Sequence, residues 1–365
     1  MTARGDRPLL LFNLVTDADD PVLGFTTAWA NALAAYFPRV DVMTMRAGRL
    51  ALAGNVRVYS IGKEKGYSEP RRALEFYRRL SGLLLRERYA AAFAHMTPLF
   101  AVLAAPLLRA RGVPLTLWYT HGSVSRTLRL AERLAGRVVT ASPESFRLPS
   151  SKVRILGHGI DTDQFVPAAP RGDDRFIVLS VGRIAPVKRL ETLIEAAGRL
   201  CHELDFRALR VRIVGHAAPE DAAYAERLRR QVTLLGLDTV VTFAGPRPHD
   251  QVAAEYQRAD VMVNLSRTGS LDKAVLEAMA CGVPVVTANE AFAAVLAPWA
   301  DRLLIPHDSP GKLAAALVRL KGLPDAERAA LGAALRARVI ADHSLPRLME
   351  RLVNVLLTGE PEASA

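Results

Sequence analysis

Short apolar runs, often β-branched, alternate along the chain with longer stretches of helical periodicity. The runs are continuously apolar, which is typical of parallel strands that helices cover on both faces. We therefore predict repeated strand–helix units built on parallel sheets. The predicted strands are Leu9–Val15, Val40–Met45, Val56–Ile61, Leu115–Tyr119, Val138–Ala141, Phe176–Val181, Val211–Gly215, Val240–Ala244, Asp260–Leu265, Val283–Ala288 and Leu303–Ile305.

A segment rich in proline, alanine, glycine and charge, residues 165–174, interrupts this pattern before a fresh apolar strand. We interpret it as an interdomain linker, because 365 residues suit two cores better than one. The predicted domains are residues 1–167 and 168–345, both Rossmann-like. Residues 346–365 form a C-terminal helix and tail, which we expect to return to the first domain.

The composition limits which kinds of protein this chain can be and where it is expected to act. Half of the residues are hydrophobic, yet no apolar run approaches the roughly 20 residues of a membrane-spanning helix. The apolar run near the start leads into acidic residues without a small-residue cleavage site, so we interpret it as a buried strand and not a signal peptide. Cys201 and Cys281 form no CxxC pair. We expect two packing residues and a reducing, cytoplasmic setting.

The formal net charge of +11 is concentrated in the first half, where residues 1–170 hold 23 Lys and Arg against 13 Asp and Glu. This half either meets something acidic, such as the inner face of a membrane or an anionic acceptor, or simply reflects abundant arginine. The basic amphipathic stretch 70–88 likewise fits a helix lying on a membrane or one packed inward. Without aromatic platforms or a known module, nucleic acid is not an expected partner.

The strand Phe176–Val181 runs into Gly182, which permits a tight turn, and then into Arg183 and Lys188. Arginine presents a planar fork of donors to phosphate oxygens, and lysine a mobile point charge. The pair therefore predicts a diphosphate site that needs no metal. Solvated surface charges are the alternative interpretation.

A second block, Ser266–Val286, follows the strand ADVMVNL. Ser270 is the expected N-cap of a helix that starts near Leu271, and the amides of such a helix start bind anions. Glu277 lies two turns further in apolar surroundings and needs a partner. That partner is either a ribose diol or a nearby Arg or Lys.

Candidates in the first half stand after predicted strands. Asp17, Asp19 and Asp20 precede Gly24, at the start of a predicted helix, and they suggest either acceptor hydroxyls or a solvated turn. His121 follows the strand Leu115–Tyr119, where parallel sheets keep their ligands. His95 is a weaker candidate of the same kind.

Together these blocks resemble retaining GT-B glycosyltransferases, specifically glycosyltransferase family 4, the group 1 type. VRIVG, VTFAG and YQRADVMVNLS extend the resemblance over the second half, and softer matches continue it into the first. The resemblance implies an α/β protein of GT-B architecture, two doubly wound, Rossmann-like domains facing a central cleft. The first domain would bind the acceptor and the second the nucleotide sugar.

The resemblance also implies residue roles. Arg183 and Lys188 would bind the donor diphosphate, Glu277 the ribose, and His121 the sugar near the reacting centre; we expect these four to carry catalysis. The implied donor-binding set is Gly24, Gly182, Arg183, Lys188, Gly245, Pro246, Arg247, Ser266, Thr268, Gly269, Ser270, Leu271 and Glu277. The expected acceptor-binding set is Asp17, Asp19, Asp20 and His95.

One departure concerns an earlier glutamate that the family often carries, with seven residues between it and the glutamate that matches Glu277; here that position is Gly269. Its task, holding hydroxyls of the donor sugar, would fall to Ser266, Thr268, Ser270, Asp272 or backbone amides. The implied activity is retaining, metal-independent transfer from a nucleoside-diphosphate sugar to a glycan, lipid-linked or other anionic acceptor, without a further cofactor. A nucleotide-sugar epimerase and a non-catalytic nucleotide-sugar-binding protein are the alternatives.

Overall fold

The structure is a computed structural model that describes residues 4–20, 23–169, 172, 174–248 and 251–361. Its strands are β1 (Leu9–Thr16), β2 (Val40–Ala47), β3 (Val56–Ser60), β4 (Ala91–His95), β5 (Leu115–Trp118), β6 (Arg137–Thr140), β7 (Val153–Ile155), β8 (Phe176–Val181), β9 (Leu209–Val214), β10 (Val241–Gly245), β11 (Val261–Asn264) and β12 (Val285–Thr287). Its helices are α1 (Phe25–Ala34), α2 (Glu69–Arg86), α3 (Pro98–Ala110), α4 (Arg126–Leu134), α5 (Leu190–His202), α6 (Ala222–Leu234), α7 (Val252–Gln257), α8 (Lys273–Ala280), α9 (Ala300–Leu303), α10 (Pro310–Lys321), α11 (Asp325–His343) and α12 (Leu345–Thr358).

The chain forms two compact units, Met1–Gly159 together with Leu345–Ala365, and Ile160–Ser344. The division lies before the segment 165–174 interpreted as a linker, of which residues 170, 171 and 173 lie outside the described residues. The contacts of Phe165 explain why the division lies before this segment. Its ring is buried against Tyr256, with centroids 6.0 Å apart, and its carbonyl accepts a 2.6 Å hydrogen bond from Arg336. The start of that segment is therefore part of the second core.

In the described residues of the first unit, seven parallel strands lie in the order β3-β2-β1-β4-β5-β6-β7. Helices α2, α3 and α4 cover one face, where Phe76, Phe100 and Leu128 share a core with Phe12. Helices α1 and α12 cover the other face, where Trp29 and Leu352 pack with Leu11. Two covered faces account for the continuous apolar runs in the sequence.

The second unit holds, in its described residues, five parallel strands in the order β10-β9-β8-β11-β12. In both sheets the order reverses beside the first strand of the unit, between β1 and β4 and between β8 and β11. Such a reversal opens a crevice outside the carboxyl ends of the strands, where doubly wound proteins bind ligands. The loops that follow β8 and β11 therefore form the position for a site in this unit.

Three strand assignments differ from the prediction. β4 and β7 were not predicted, because AAFAH contains no β-branched residue and β7 has only three residues. The predicted strand Leu303–Ile305 is wrong. Leu303 ends α9, and Leu304 forms only an isolated bridge to Thr287.

The basic stretch 70–88 forms a single helix, α2, which ends at Arg86 and carries leucines on both its inner and its outer face. Its inner face buries Phe76, Leu80 and Leu84 against the first sheet. Its outer face exposes Leu74 at 68% and Leu85 at 76%. None of the described helices combines the length and the apolar composition needed to cross a bilayer.

Candidate functional site

Glycines bring three strand ends of the second unit unusually close. Gly182, directly after β8, has a φ of 145°, and its N–H donates to the carbonyl of Val214 at 3.0 Å. Gly215, directly after β9, has a φ of 147°, and its N–H donates to the carbonyl of Gly245 at the end of β10. A Cβ atom on Gly215 would lie 1.8 Å from the carbonyl oxygen of Gly182. Glycine is therefore required at Gly215 to bring the loops together.

The two predicted cations lie in one pocket beside these glycines. Arg183 and Lys188 line it together with Gly182 and with Asn264, the last residue of β11. The Lys188 side chain crosses above Gly182, where a Cβ would lie 3.4 Å from Cε. Arg183 is exposed, and within the described part of the chain its guanidinium has no hydrogen bond or ion pair. The structure thus brings Arg183 and Lys188 together at the sheet's point of reversal.

Lys188 has a partner that the sequence did not assign to it. Its Nζ forms an ion pair with Oδ2 of Asp272, and Asn264 Nδ2 donates to the same oxygen at 2.9 Å. Burial by itself would raise the pKa of Asp272, but the charge of Lys188 and these hydrogen bonds outweigh it and lower the pKa below its usual value. Asp272 is therefore a carboxylate beside the pocket.

The loop from Ser266 to Asp272 connects β11 to α8. Ser266 Oγ and Thr268 Oγ1 lie 3.2 Å apart, and the N–H of Arg267 donates to the carbonyl of Val187 at 3.0 Å. That bond joins this loop to the residue before Lys188. Gly269 has a φ of 61°, a left-handed conformation that a glutamate rarely adopts.

The predicted N-cap of the following helix is wrong. Asp272, in extended backbone, occupies the N-cap position of α8, and the helix begins at Lys273 instead of Leu271. Ser270 lies two residues too early, where its carbonyl accepts a 2.8 Å hydrogen bond from Asn289. Leu271 is buried in the core, and this fixes the loop before the helix starts.

Glu277 is buried on α8, and Oε2 accepts a 2.9 Å hydrogen bond from the hydroxyl of Tyr256 on α7. Burial and the charge of Glu277 raise the pKa of Tyr256 well above its usual value, so the hydroxyl stays a donor. One turn before Glu277, burial lowers the pKa of Lys273 to about 8, against the charge of Glu277, which raises it. Lys273 was missed in the sequence because lysines are exposed by default.

The segment after β10 is held by an acidic side chain. Gly245 has a φ of 73°, and its carbonyl accepts from Gly215. Arg247 Nε donates to Glu255 Oε1 at 2.9 Å, and its Nη1 donates to the carbonyl of Pro246 at 3.1 Å. Arg212 forms a bidentate pair with the same glutamate, and this pairing lowers the pKa of Glu255. The Arg247 side chain thus braces the loop, while the predicted base contact through backbone groups stays a prediction.

The aspartates of the first unit are engaged by two arginines. Asp19 forms hydrogen bonds of 2.8 and 2.6 Å with Arg49, and Asp20 pairs with Arg46, which also lies 3.7 Å from Asp17. The N–H of Gly24, just before α1, donates to the carbonyl of Asp20 at 3.0 Å. This arrangement favours a turn over free acceptor ligands, and the acceptor role stays a prediction.

The two histidines differ in environment, although both stand at the carboxyl edge of the first sheet. His95 ends β4 and is 4% exposed, with its ring 4.6 Å from Trp29 and 5.8 Å from Phe25. His121, three residues beyond β5, is exposed, and its Nδ1 lies 2.9 Å from Ser123 Oγ. His121 is therefore accessible to a ligand, whereas His95 is an aromatic core residue.

Two Rossmann-like units, one with cations and glycine loops at its point of reversal, have the architecture of the GT-B fold. Residues 161–338 match the family described as "Glycosyl transferases group 1". The match covers nearly all of the second unit, which is therefore similar to members of that family.

Relatives and solved structures agree with this class. The chain is 34% identical over 203 residues to the D-inositol 3-phosphate glycosyltransferase of Kineococcus radiotolerans, covering 50% of this chain and 46% of the relative. It is 27% identical over 304 residues to the enzyme of that name from Mycolicibacterium smegmatis, covering 79% and 68%. The chain thus spans about half the length of the first of these relatives.

The solved structures extend the likeness in fold over 96% of the chain. Anabaena HepE, crystallised with UDP and glucose, is 18% identical with a TM-score of 0.75, covering 96% of this chain and 100% of that one. Sucrose-phosphate synthase from Thermosynechococcus elongatus is 20% identical with a TM-score of 0.74, covering 96% and 98%. The predicted fold class, two Rossmann-like parallel-sheet domains of GT-B type, is confirmed.

Proposed function

We propose that this chain is a glycosyltransferase that moves a sugar from a nucleoside-diphosphate sugar to an acceptor hydroxyl. The observation that carries the proposal is the pocket after β8, where Arg183 and Lys188 lie together beside Gly182. The group 1 family match of the same unit supports it, as do relatives named as glycosyltransferases.

Negative charge develops on the leaving diphosphate as the bond to the sugar breaks. Arg183 offers a planar fork to phosphate oxygens, and Lys188 adds a point charge, so both stabilise the departing group where its charge appears. Two side-chain cations neutralise the diphosphate without a divalent ion. The proposed reaction is accordingly metal-independent and uses no cofactor beyond the donor co-substrate. That it retains the configuration of the sugar is proposed from the resemblance to retaining glycosyltransferases alone.

The nucleoside would be held by residues of the second unit. Glu277 accepts hydrogen bonds from the ribose diol, and Tyr256 fixes the orientation of its carboxylate. Main-chain groups from Gly245 to Arg247 meet the base. The remaining proposed donor contacts of the second unit come from the loop of Ser266, Thr268, Gly269, Ser270 and Leu271.

The first unit would bind the acceptor, a glycan or a lipid-linked or otherwise anionic molecule.

The helices on one face of the first sheet support a proposed peripheral contact with an anionic membrane. α2 exposes Leu74 and Leu85, and α4 exposes Leu130 at 44% and Leu134 at 41%. Both helices pack on the same face of the sheet. The same two helices also expose arginines: Arg86 on α2 and Arg126, Arg129 and Arg133 on α4. Exposed leucines and arginines on the same helices match an anionic bilayer surface.

The alternatives predict different products. An epimerase changes the nucleotide sugar without any acceptor, and a binding protein takes up the donor without transfer. Family members and relatives named as transferases favour transfer. Product analysis with and without acceptor separates the three activities.

The test begins with a thermal-shift screen of nucleoside-diphosphate sugars, since a ligand at 100 times its Kd adds about 2.7 kcal/mol of stability. Arg183→Ala and Lys188→Ala should then abolish most transfer while the fold is kept. Arg229→Ala and Lys312→Ala, at exposed positions elsewhere in the second unit, are the matched controls. Near-normal turnover in both pocket variants would refute the diphosphate assignment.

A further inference from the structure

Lys188 already has an anionic partner at the pocket. Its side chain is 16% exposed and that of Asp272 17%, so this pair is screened much less than a surface pair. Asn264, which lines the pocket with Lys188, donates to the same Asp272 oxygen. The carboxylate therefore contacts two pocket-lining residues, Asn264 at the end of β11 and Lys188 in the segment that follows β8.

Neighbouring carboxylates are committed elsewhere. Glu277 accepts from Tyr256. Asp308 pairs with Arg189 and Arg267. None of the three partners, Tyr256, Arg189 and Arg267, lines the pocket, whereas Lys188 does. Asp272 is accordingly the carboxylate that is paired with a cation of the pocket, so a phosphate that binds Lys188 would compete with it.

We propose that Asp272 is a positioning residue that holds Lys188 at the pocket until the donor's diphosphate takes over the ammonium group. The released carboxylate, still bonded to Asn264, then accepts hydrogen bonds from hydroxyls of the donor's sugar. A carboxylate has about four lone-pair sites, so loss of Lys188 leaves acceptor capacity for a sugar. This inference rests on the proposed function and adds to it an exchange of ion-pair partners at the same site.

The exchange predicts opposite effects on two measurable quantities. Asp272 competes with phosphate for Lys188, so removing its charge should tighten the binding of a nucleoside diphosphate. The same change removes a charged acceptor for sugar hydroxyls, so transfer should slow. Damage to the fold, by contrast, would weaken diphosphate binding and slow transfer together.

Asp272→Asn is the informative variant, because asparagine has nearly the same shape and is an equally good N-cap for α8. We expect calorimetry with UDP and with GDP to show threefold or tighter binding of whichever diphosphate the wild-type protein binds, by about 0.7 kcal/mol or more. We expect kcat for transfer to fall about tenfold or more. Asp272→Glu, which keeps the charge, should restore diphosphate affinity towards the wild-type value.

Asp308→Asn is the matched control, since it removes a carboxylate from a nearby ion pair that does not involve the pocket; both quantities should stay unchanged. Weaker or unchanged diphosphate binding in Asp272→Asn, or unchanged transfer, overturns the exchange alone. A wild-type protein that neither binds a nucleoside diphosphate nor transfers sugar overturns the proposed function as well.

Discussion

The hydroxyl of Tyr256 donates a 2.9 Å hydrogen bond to Oε2 of Glu277, and both residues are buried in the second unit. The pair joins α7 to α8 and fixes the carboxylate proposed to hold the donor ribose. A buried carboxylate that loses such a donor suffers a desolvation penalty and gains rotational freedom.

Tyr256→Phe should therefore lower the free energy of unfolding by about 1–3 kcal/mol and raise KM for the donor, with a smaller effect on kcat. Urea unfolding and steady-state kinetics measure the two effects. Tyr89→Phe in the first unit, which removes a 2.7 Å bond to Asp41, should cost stability without changing donor KM. Equal donor KM values in the two variants would contradict the role given to Glu277.

Gly215→Ala tests the close approach of the loops after β8 and β9. A methyl group there would meet the Gly182 carbonyl at 1.8 Å, so we expect more than about 3 kcal/mol of lost stability or a displaced pocket loop. Gly236→Ala has a similarly glycine-favouring φ of 62° but open space, so it should cost only about 1 kcal/mol. Similar costs for the two variants would show that backbone conformation, and not contact, requires Gly215.

Lys273 predicts a pH dependence of stability. Burial lowers its pKa to about 8 from the usual 10.5, so the folded state releases this proton at lower pH than the unfolded state. Burying the charged lysine therefore lowers the free energy of unfolding fully below about pH 8, and this loss of stability disappears as the pH rises towards 10.5. Lys273→Met should therefore stabilise the protein at about pH 7, and its advantage over wild type should shrink between about pH 8 and 10.

Urea unfolding of both proteins across that range measures the difference. Lys312→Met, at an exposed lysine, should show no such trend. A constant advantage of Lys273→Met at every pH would mean that the gain comes from packing and not from the buried charge.

The outer faces of α2 and α4 predict salt-sensitive binding to anionic vesicles. Replacing Leu74 and Leu85 together by serine should weaken binding to phosphatidylserine-containing vesicles by about tenfold or more, because each leucine inserted into the interface contributes about 1.5–3 kcal/mol when fully buried. Leu234→Ser in the second unit, 85% exposed, is the control. Vesicle flotation at low and high salt measures the effect. Vesicle binding that does not change with salt concentration, or that the double leucine variant retains, would show that this surface is not a membrane-binding surface.

Much of the fold could be predicted because apolar periodicity reports which faces of an element are buried. The continuous apolar runs of β1, β2, β8 and β9 are by themselves enough to indicate parallel strands covered on both faces. β4 was not predicted, because its alanines carry no strand preference. Its central place in the sheet comes from pairing with β1 and β5. The burial of Phe165 was not predicted either, because its proline-rich neighbourhood suggests a linker. Only the packed core shows that this side chain is buried.

The candidate site divides in the same way. The turn at Gly182 and the cations Arg183 and Lys188 could be predicted locally, because residues directly after a strand share its carboxyl edge. Their partners could not be predicted locally. Lys188 and Asp272 are 84 residues apart and Tyr256 and Glu277 21. Local sequence therefore determined which residues could carry charge, and the strand order that sets β8 beside β11 decided which charges meet, because ion pairing depends on distance in space and not along the chain.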